Sequence, residues 1–92
     1  MPRTSVKVVI RNRLGLHARP AMAFVDAAAA FASEITVRRE DSTESIDGKS
    51  IMQMMMLAAT QGTTLEVTAD GEDAEAACAA LRALVERGFD EE

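Results

Sequence analysis

Thr4-Ser5-Val6-Lys7-Val8-Val9-Ile10-Arg11-Asn12-Arg13-Leu14-Gly15-Leu16-His17-Ala18-Arg19-Pro20-Ala21 changes its hydrophobic period partway along, and that change sets the architecture. Val6, Val8 and Ile10 alternate with Lys7, Val9 and Arg11, so residues 4–11 read as a half-buried strand. Residues 12–15 then turn. From Ala18 to about Phe31 the chain is rich in alanine, and Ala21, Phe24, Val25, Ala28 and Phe31 recur at helical spacing, which predicts a helix with its apolar stripe on a sheet. His17, the only histidine, lies at the N-terminal lip of that helix.

Downstream, Ile35 and Val37 between Glu34, Thr36 and Arg38 give a second strand. Glu40-Asp41 makes a turn, and residues 42–46 return as a third strand. Gly48 breaks the pattern. Residues 50–57 read as a short helix, Gln61-Gly62 as its stop, and residues 63–69 as a fourth strand with Leu65 and Val67 inward. Asp70-Gly71-Glu72-Asp73 supplies caps for a last helix with the stripe Ala74, Ala77, Cys78, Leu81, Leu84 and Val85, which Gly88 terminates. The order βαββαβα, with strands alternating between apolar and polar, predicts an α+β fold: an open-faced antiparallel sheet with helices on one face and water on the other.

Ninety-two residues without a linker or repeat make one domain, residues 1–92, too small for a deep catalytic cavity, so chemistry belongs on the surface. A net charge of −5 and three aromatic residues argue against binding nucleic acid or an anionic membrane. Acidic residues crowd the C-terminal third, whereas Lys and Arg fall mainly before residue 50, leaving a comparatively basic half for an acidic protein partner. Cys78, the single cysteine, permits no internal disulfide or cysteine metal site and lies on an apolar stripe. With no secretory signal and no apolar run of spanning length, a soluble cytoplasmic protein is expected.

Two stretches carry chemistry. A helix start offers unpaired amides and the positive end of a dipole, so a group at His17 is placed to hold an anion. Imidazole can accept a phosphoryl group, which the Ala18 and Arg19 amides and the Arg19 guanidinium could bind; Gly15 frees the preceding backbone and Pro20 suits the first turn. The implied chemistry is reversible phosphoryl transfer, against the plainer alternative that His17 only caps the helix. The second stretch, Lys49-Ser50-Ile51-Met52-Gln53-Met54-Met55-Met56-Leu57, holds more apolar side chains than a short helix can bury. Met52 and Met55 are expected at the surface, where methionine suits a docking patch, while Met54 and Leu57 fit core or surface equally. Ser50 is a natural N-cap, and a phosphate on it would add charge beside that patch. Gly48-Lys49-Ser50 lacks the earlier glycine of a nucleotide-binding P-loop.

At Leu14-Gly15-Leu16-His17-Ala18-Arg19-Pro20-Ala21 and Lys49-Ser50-Ile51-Met52 the chain resembles HPr, the histidine-containing phosphocarrier family of the bacterial phosphoenolpyruvate-dependent phosphotransferase system, and the likeness spans essentially its full length. The resemblance implies an HPr-like open-faced β-sandwich with strand order 1-4-2-3 and three helices on one face. It implies that His17 is phosphorylated on Nδ1 by phosphorylated enzyme I and passes the group to a IIA protein or domain, with Arg19 assisting. Ser50 matches a regulatory serine phosphorylated by HPr kinase/phosphorylase, and Ile51, Met52 and Met55 match a hydrophobic partner-binding patch. The carrier is expected to be a monomer, not an enzyme in its own right, and to need no cofactor or metal. Residues 36–48 look a couple of residues longer than in typical members, and Gln53 and Met56 replace smaller residues, so partners could differ. A nitrogen-related or other regulatory phosphotransfer chain, uncoupled from sugar uptake, is the alternative. A pure binding module regulated at Ser50 and an independent enzyme are weaker readings.

Overall fold

Alternation along the strands sorts the side chains onto two faces, and in the computed structural model, which describes residues 2–91, helices cover only one of them. The elements are β1 (Arg3–Val9), α1 (Ala18–Ala29), β2 (Glu34–Arg39), β3 (Ser45–Asp47), α2 (Ile51–Met56), β4 (Thr64–Asp70) and α3 (Ala74–Glu86), followed by a 3-10 turn (Gly88–Asp90). The four strands form one sheet in the order β1-β4-β2-β3. Every pairing is antiparallel, and Val67 lies opposite both Val6 and Val37.

Val8, Ile35, Val37, Leu65, Val67 and Ala69 point from the sheet into a core closed by Phe24, Met54, Leu81 and Val85 of the helices. Helix α3 lies over β1 and β4, α2 sits beside β3, and α1 is flanked by both other helices. The opposite face is polar: Ser5 and Thr68 share a hydroxyl hydrogen bond of 2.9 Å, and Arg38 pairs with Glu66 at 2.8 Å. Hydration of that face explains why its positions need no apolar residue.

Element bounds differ from expectation where side chains or turns take over the backbone. Helix α1 stops at Ala29, because the amides of Ala30 and Phe31 bond only three residues back, to Ala27 and Ala28; Phe31 still packs half-buried on the core. Strand β3 spans Ser45–Asp47 instead of 42–46, since the Ser42 carbonyl accepts from Arg38 Nη1 at 2.6 Å and its amide donates to Arg39, closing a turn. The β1 ladder begins at Arg3 and ends at Val9, although Ile10 still exchanges hydrogen bonds with Gly62 and Thr63. Strand β4 is shifted by one residue, and Leu84 is half-buried at the margin of the α3 stripe. Gly88, with φ of +68°, ends α3 as expected, but the chain then curls back, with Phe89 and Asp90 also at positive φ and Phe89 buried.

Candidate phosphoryl-transfer site at the start of helix α1

The loop entering α1 is built to hold His17 in one place. Leu16 is buried and its amide donates to the Ala59 carbonyl at 2.8 Å, while the Gly15 amide closes a turn onto Asn12 at 3.1 Å. Gly15 adopts φ of +71°, and a Cβ there would meet the Ala59 oxygen at 2.5 Å, so glycine is required both by conformation and by space. His17 has extended backbone at the N-cap, and its carbonyl accepts the first helical hydrogen bond, from Ala21 at 3.0 Å. The amides of Ala18 and Arg19 precede that ladder, and Pro20 has no amide proton to leave unpaired. An anion beside the imidazole would therefore meet free donors and the positive end of the helix dipole.

The imidazole makes no capping hydrogen bond, which removes the capping role as an account of it. Its Nε2 instead lies 3.1 Å from both oxygens of the Glu91 carboxylate. Asn12, 2 % exposed, donates from Nδ2 to the Gly15 carbonyl at 2.7 Å and to Glu91 Oε1 at 3.0 Å. The hydrogen bond from His17 outweighs desolvation and, with smaller help from the Asn12 hydrogen bond and the nearby positive charge, holds the Glu91 carboxyl below the usual carboxylate range. Arg19 is exposed on the first turn and, among the described residues, forms no ion pair. It lines a shallow depression with His17, Ala18, Met22, Ala23 and Asp26.

The second motif lies on α2, against α1. Ser50 is the N-cap, its Oγ accepting from the Gln53 amide at 3.2 Å, and Gln53 Oε1 accepts in turn from the Asp47 amide at 2.9 Å. Met54 and Leu57 are core residues. Met52, Met55 and Met56 are exposed by 77 %, 45 % and 74 %. Ile51 is half-buried and packs on the core, so it contributes less free surface than Met52 or Met55.

Glu91, Asn12 and the exposed Leu14 and Met22 are absent from the sequence-derived set. Asn12 reads as a turn residue, and a glutamate beyond a helix-ending glycine carries no local signal. Among the described residues no cluster of three or more metal-ligating side chains occurs, and no helix is long and apolar enough to cross a membrane.

Fold and site together define a small open-faced sandwich that presents an imidazole at the mouth of a helix. The family described as "PTS HPr component phosphorylation site" matches residues 4–87, and the chain belongs to it, the HPr/NPr phosphocarriers of the phosphotransferase system. It is 42% identical over 86 residues to the phosphocarrier protein NPr of Proteus mirabilis, covering 94% of each chain. It is 43% identical over 91 residues to the phosphocarrier protein HPr of Neisseria meningitidis, covering 99% of this chain and 98% of that one. The crystal structure of HPr-C-His from Thermoanaerobacter tengcongensis superposes with a TM-score of 0.89 at 42% identity, over 97% of this chain and 98% of that one.

Proposed function

We propose that His17 carries the phosphoryl group, taking it on Nδ1 from phosphorylated enzyme I and passing it to a IIA protein or domain. One observation carries the reading: Nε2 is engaged by Glu91 while Nδ1 has no hydrogen-bond partner among the described residues, at a helix start whose first amides are unpaired. The Arg19 guanidinium and the Ala18 and Arg19 amides bind the phosphoryl oxygens, and no resident cofactor or metal is required. The chain acts as a transient acceptor and donor, not an enzyme. Met52 and Met55, with a smaller part for Ile51, form the apolar docking surface beside it. Phosphorylation of Ser50 by a kinase of the HPr kinase/phosphorylase type would add charge at that surface and free the Gln53 amide from its Oγ.

A second reading, a nitrogen-related or other regulatory chain uncoupled from sugar uptake, draws on the NPr relatives and uses the same residues. Incubation with enzyme I and phosphoenolpyruvate, read by intact mass, tests the carrier role. One acid-labile phosphate is expected on the wild type and none on His17→Ala; equal labelling of a folded His17→Ala overturns the assignment. Arg19→Ala should slow labelling about tenfold, equivalent to losing about 1.4 kcal/mol of charge-assisted hydrogen bonding in the transition state.

A further inference from the structure

The C-terminal segment is costly to fold as it does. Phe89 and Asp90 have φ of +56° and +60°, a conformation that costs a non-glycine residue about 1 kcal/mol or more. Burial of Phe89 and the Arg87–Asp90 ion pair at 3.1 Å hold the curl, and its result is to return Glu91 to His17. Asn12 is costly as well: its Oδ1 is buried without a partner among the described residues. The reverse orientation of the amide is worse, because it would aim an oxygen at the Gly15 carbonyl and the Glu91 carboxylate and orphan the donors instead. A buried amide and a strained tail kept at such a cost, meeting at the one carboxylate that holds the imidazole, point to a role beyond packing.

We propose that Glu91 is a positioning residue for phosphoryl transfer at His17, holding the imidazole by Nε2 so that Nδ1 carries the lone pair, and that Asn12 locks Glu91 in place. This rests on the carrier reading above. A neutral imidazole has one donor and one acceptor nitrogen, and a carboxylate only accepts, so Nε2 facing two carboxylate oxygens at 3.1 Å must carry the proton. The Nδ1 lone pair then attacks phosphorus and a nitrogen–phosphorus bond forms. The bond from phosphorus to the donor breaks, and its electron pair leaves with the donor. The ring becomes cationic, its Nε2 proton stays in place, and Glu91 balances the new charge. On onward transfer the acceptor's lone pair forms the new bond to phosphorus and the Nδ1–phosphorus electrons return to the ring, restoring the starting tautomer. No proton enters or leaves the ring in either direction. Outer partners of this kind, which orient a reactive imidazole through its far nitrogen, commonly change rates by about tenfold or more.

The test uses the full chain labelled with nitrogen-15 at histidine. At a pH where the ring is uncharged, NMR of the ring nitrogens should show the Nε2–H tautomer almost alone in the wild type and a mixture in Glu91→Ala. The initial rate of labelling by enzyme I and phosphoenolpyruvate should fall about tenfold in Glu91→Ala. Glu72→Gln, which removes the same charge from an exposed side chain outside the curl that forms no ion pair among the described residues, should retain the tautomer. A Glu91→Ala variant with the wild-type tautomer overturns the role, whatever its rate, and so does one with a tautomer mixture but the wild-type rate. Wild-type chain that takes no phosphate on His17 would sink the carrier reading and this role with it. Labelled wild type beside an unaffected Glu91→Ala sinks the role alone.

Discussion

Gly15→Ala is the substitution that most directly couples the fold to the site. Three costs add at this position. The left-handed conformation at φ of +71° costs a residue with a Cβ about 1–2 kcal/mol. The new Cβ would stand 2.5 Å from the Ala59 oxygen and 2.9 Å from the Thr60 Cα, both backbone atoms that cannot swing away as a side-chain tip can. Relief requires the two segments to part, which weakens the 2.8 Å hydrogen bond from the Leu16 amide to that same oxygen, worth about 1 kcal/mol. The sum is about 3 kcal/mol, or a fall in Tm of roughly 12–24 °C for a domain of this size. Gly62→Ala is the matched control: φ is +92°, but nothing lies within 4 Å of the new Cβ, so only the conformational part, about 1 kcal/mol, applies. Urea and thermal unfolding of the two variants measure the difference, and labelling by enzyme I below the transition shows whether His17 is displaced. A Gly15→Ala protein within about 0.5 kcal/mol of wild type, or no less stable than Gly62→Ala, would refute the close approach that positions His17.

Two further perturbations probe the rest of the molecule. Asp73 accepts from the Ser33 hydroxyl, the Ala32 amide at 2.7 Å and the Ser33 amide at 2.9 Å, and these bonds, the hydroxyl first, hold its carboxyl below the usual value. A group depressed in the folded state stabilises it above the unfolded pKa and loses that contribution as pH falls through the folded one. Asp73→Asn should thus be less stable than wild type at neutral pH and converge with it below about pH 4; parallel Tm profiles across that range would contradict the linkage. At the docking surface, Ser50→Asp should keep the fold, since aspartate also caps, yet weaken enzyme I binding most at low salt. Met52→Ala should weaken it without that salt dependence. Calorimetric titration at two salt concentrations distinguishes them, and wild-type affinity for both variants would mean that α2 takes no part in docking.

Much of this protein is local chemistry and was legible in order along the chain. Period-2 runs through Val6, Val8, Ile35, Val37, Leu65 and Val67 determined the strands. The alanine-rich stripes determined α1 and α3, and Ser50 announced its own helix. Such patterns survive in a sequence because each residue answers to neighbours two, three or four positions away. His17 at a helix start beside Arg19 was likewise visible, because the amides it exploits belong to its own first turn. Strand order was not dictated by periodicity: alternation assigns a face, never a neighbour, and the 1-4-2-3 order came from the family resemblance, with the sheet then showing it. The methionines show the same boundary. Pattern alone placed Met54 and Leu57 equally well inside or outside, and only the proximity of α1 and β3 sent them to the core while leaving Met52 and Met56 in water. Glu91 marks the limit most clearly. Seventy-four residues separate it from His17, and it arrives there because three successive left-handed residues and a buried Phe89 curl the tail back, while Asn12 holds the carboxylate that meets the imidazole. A contact made by chain reversal and a shared buried donor leaves no period to read, so tertiary structure alone decided which atom of the histidine is held and which is left open.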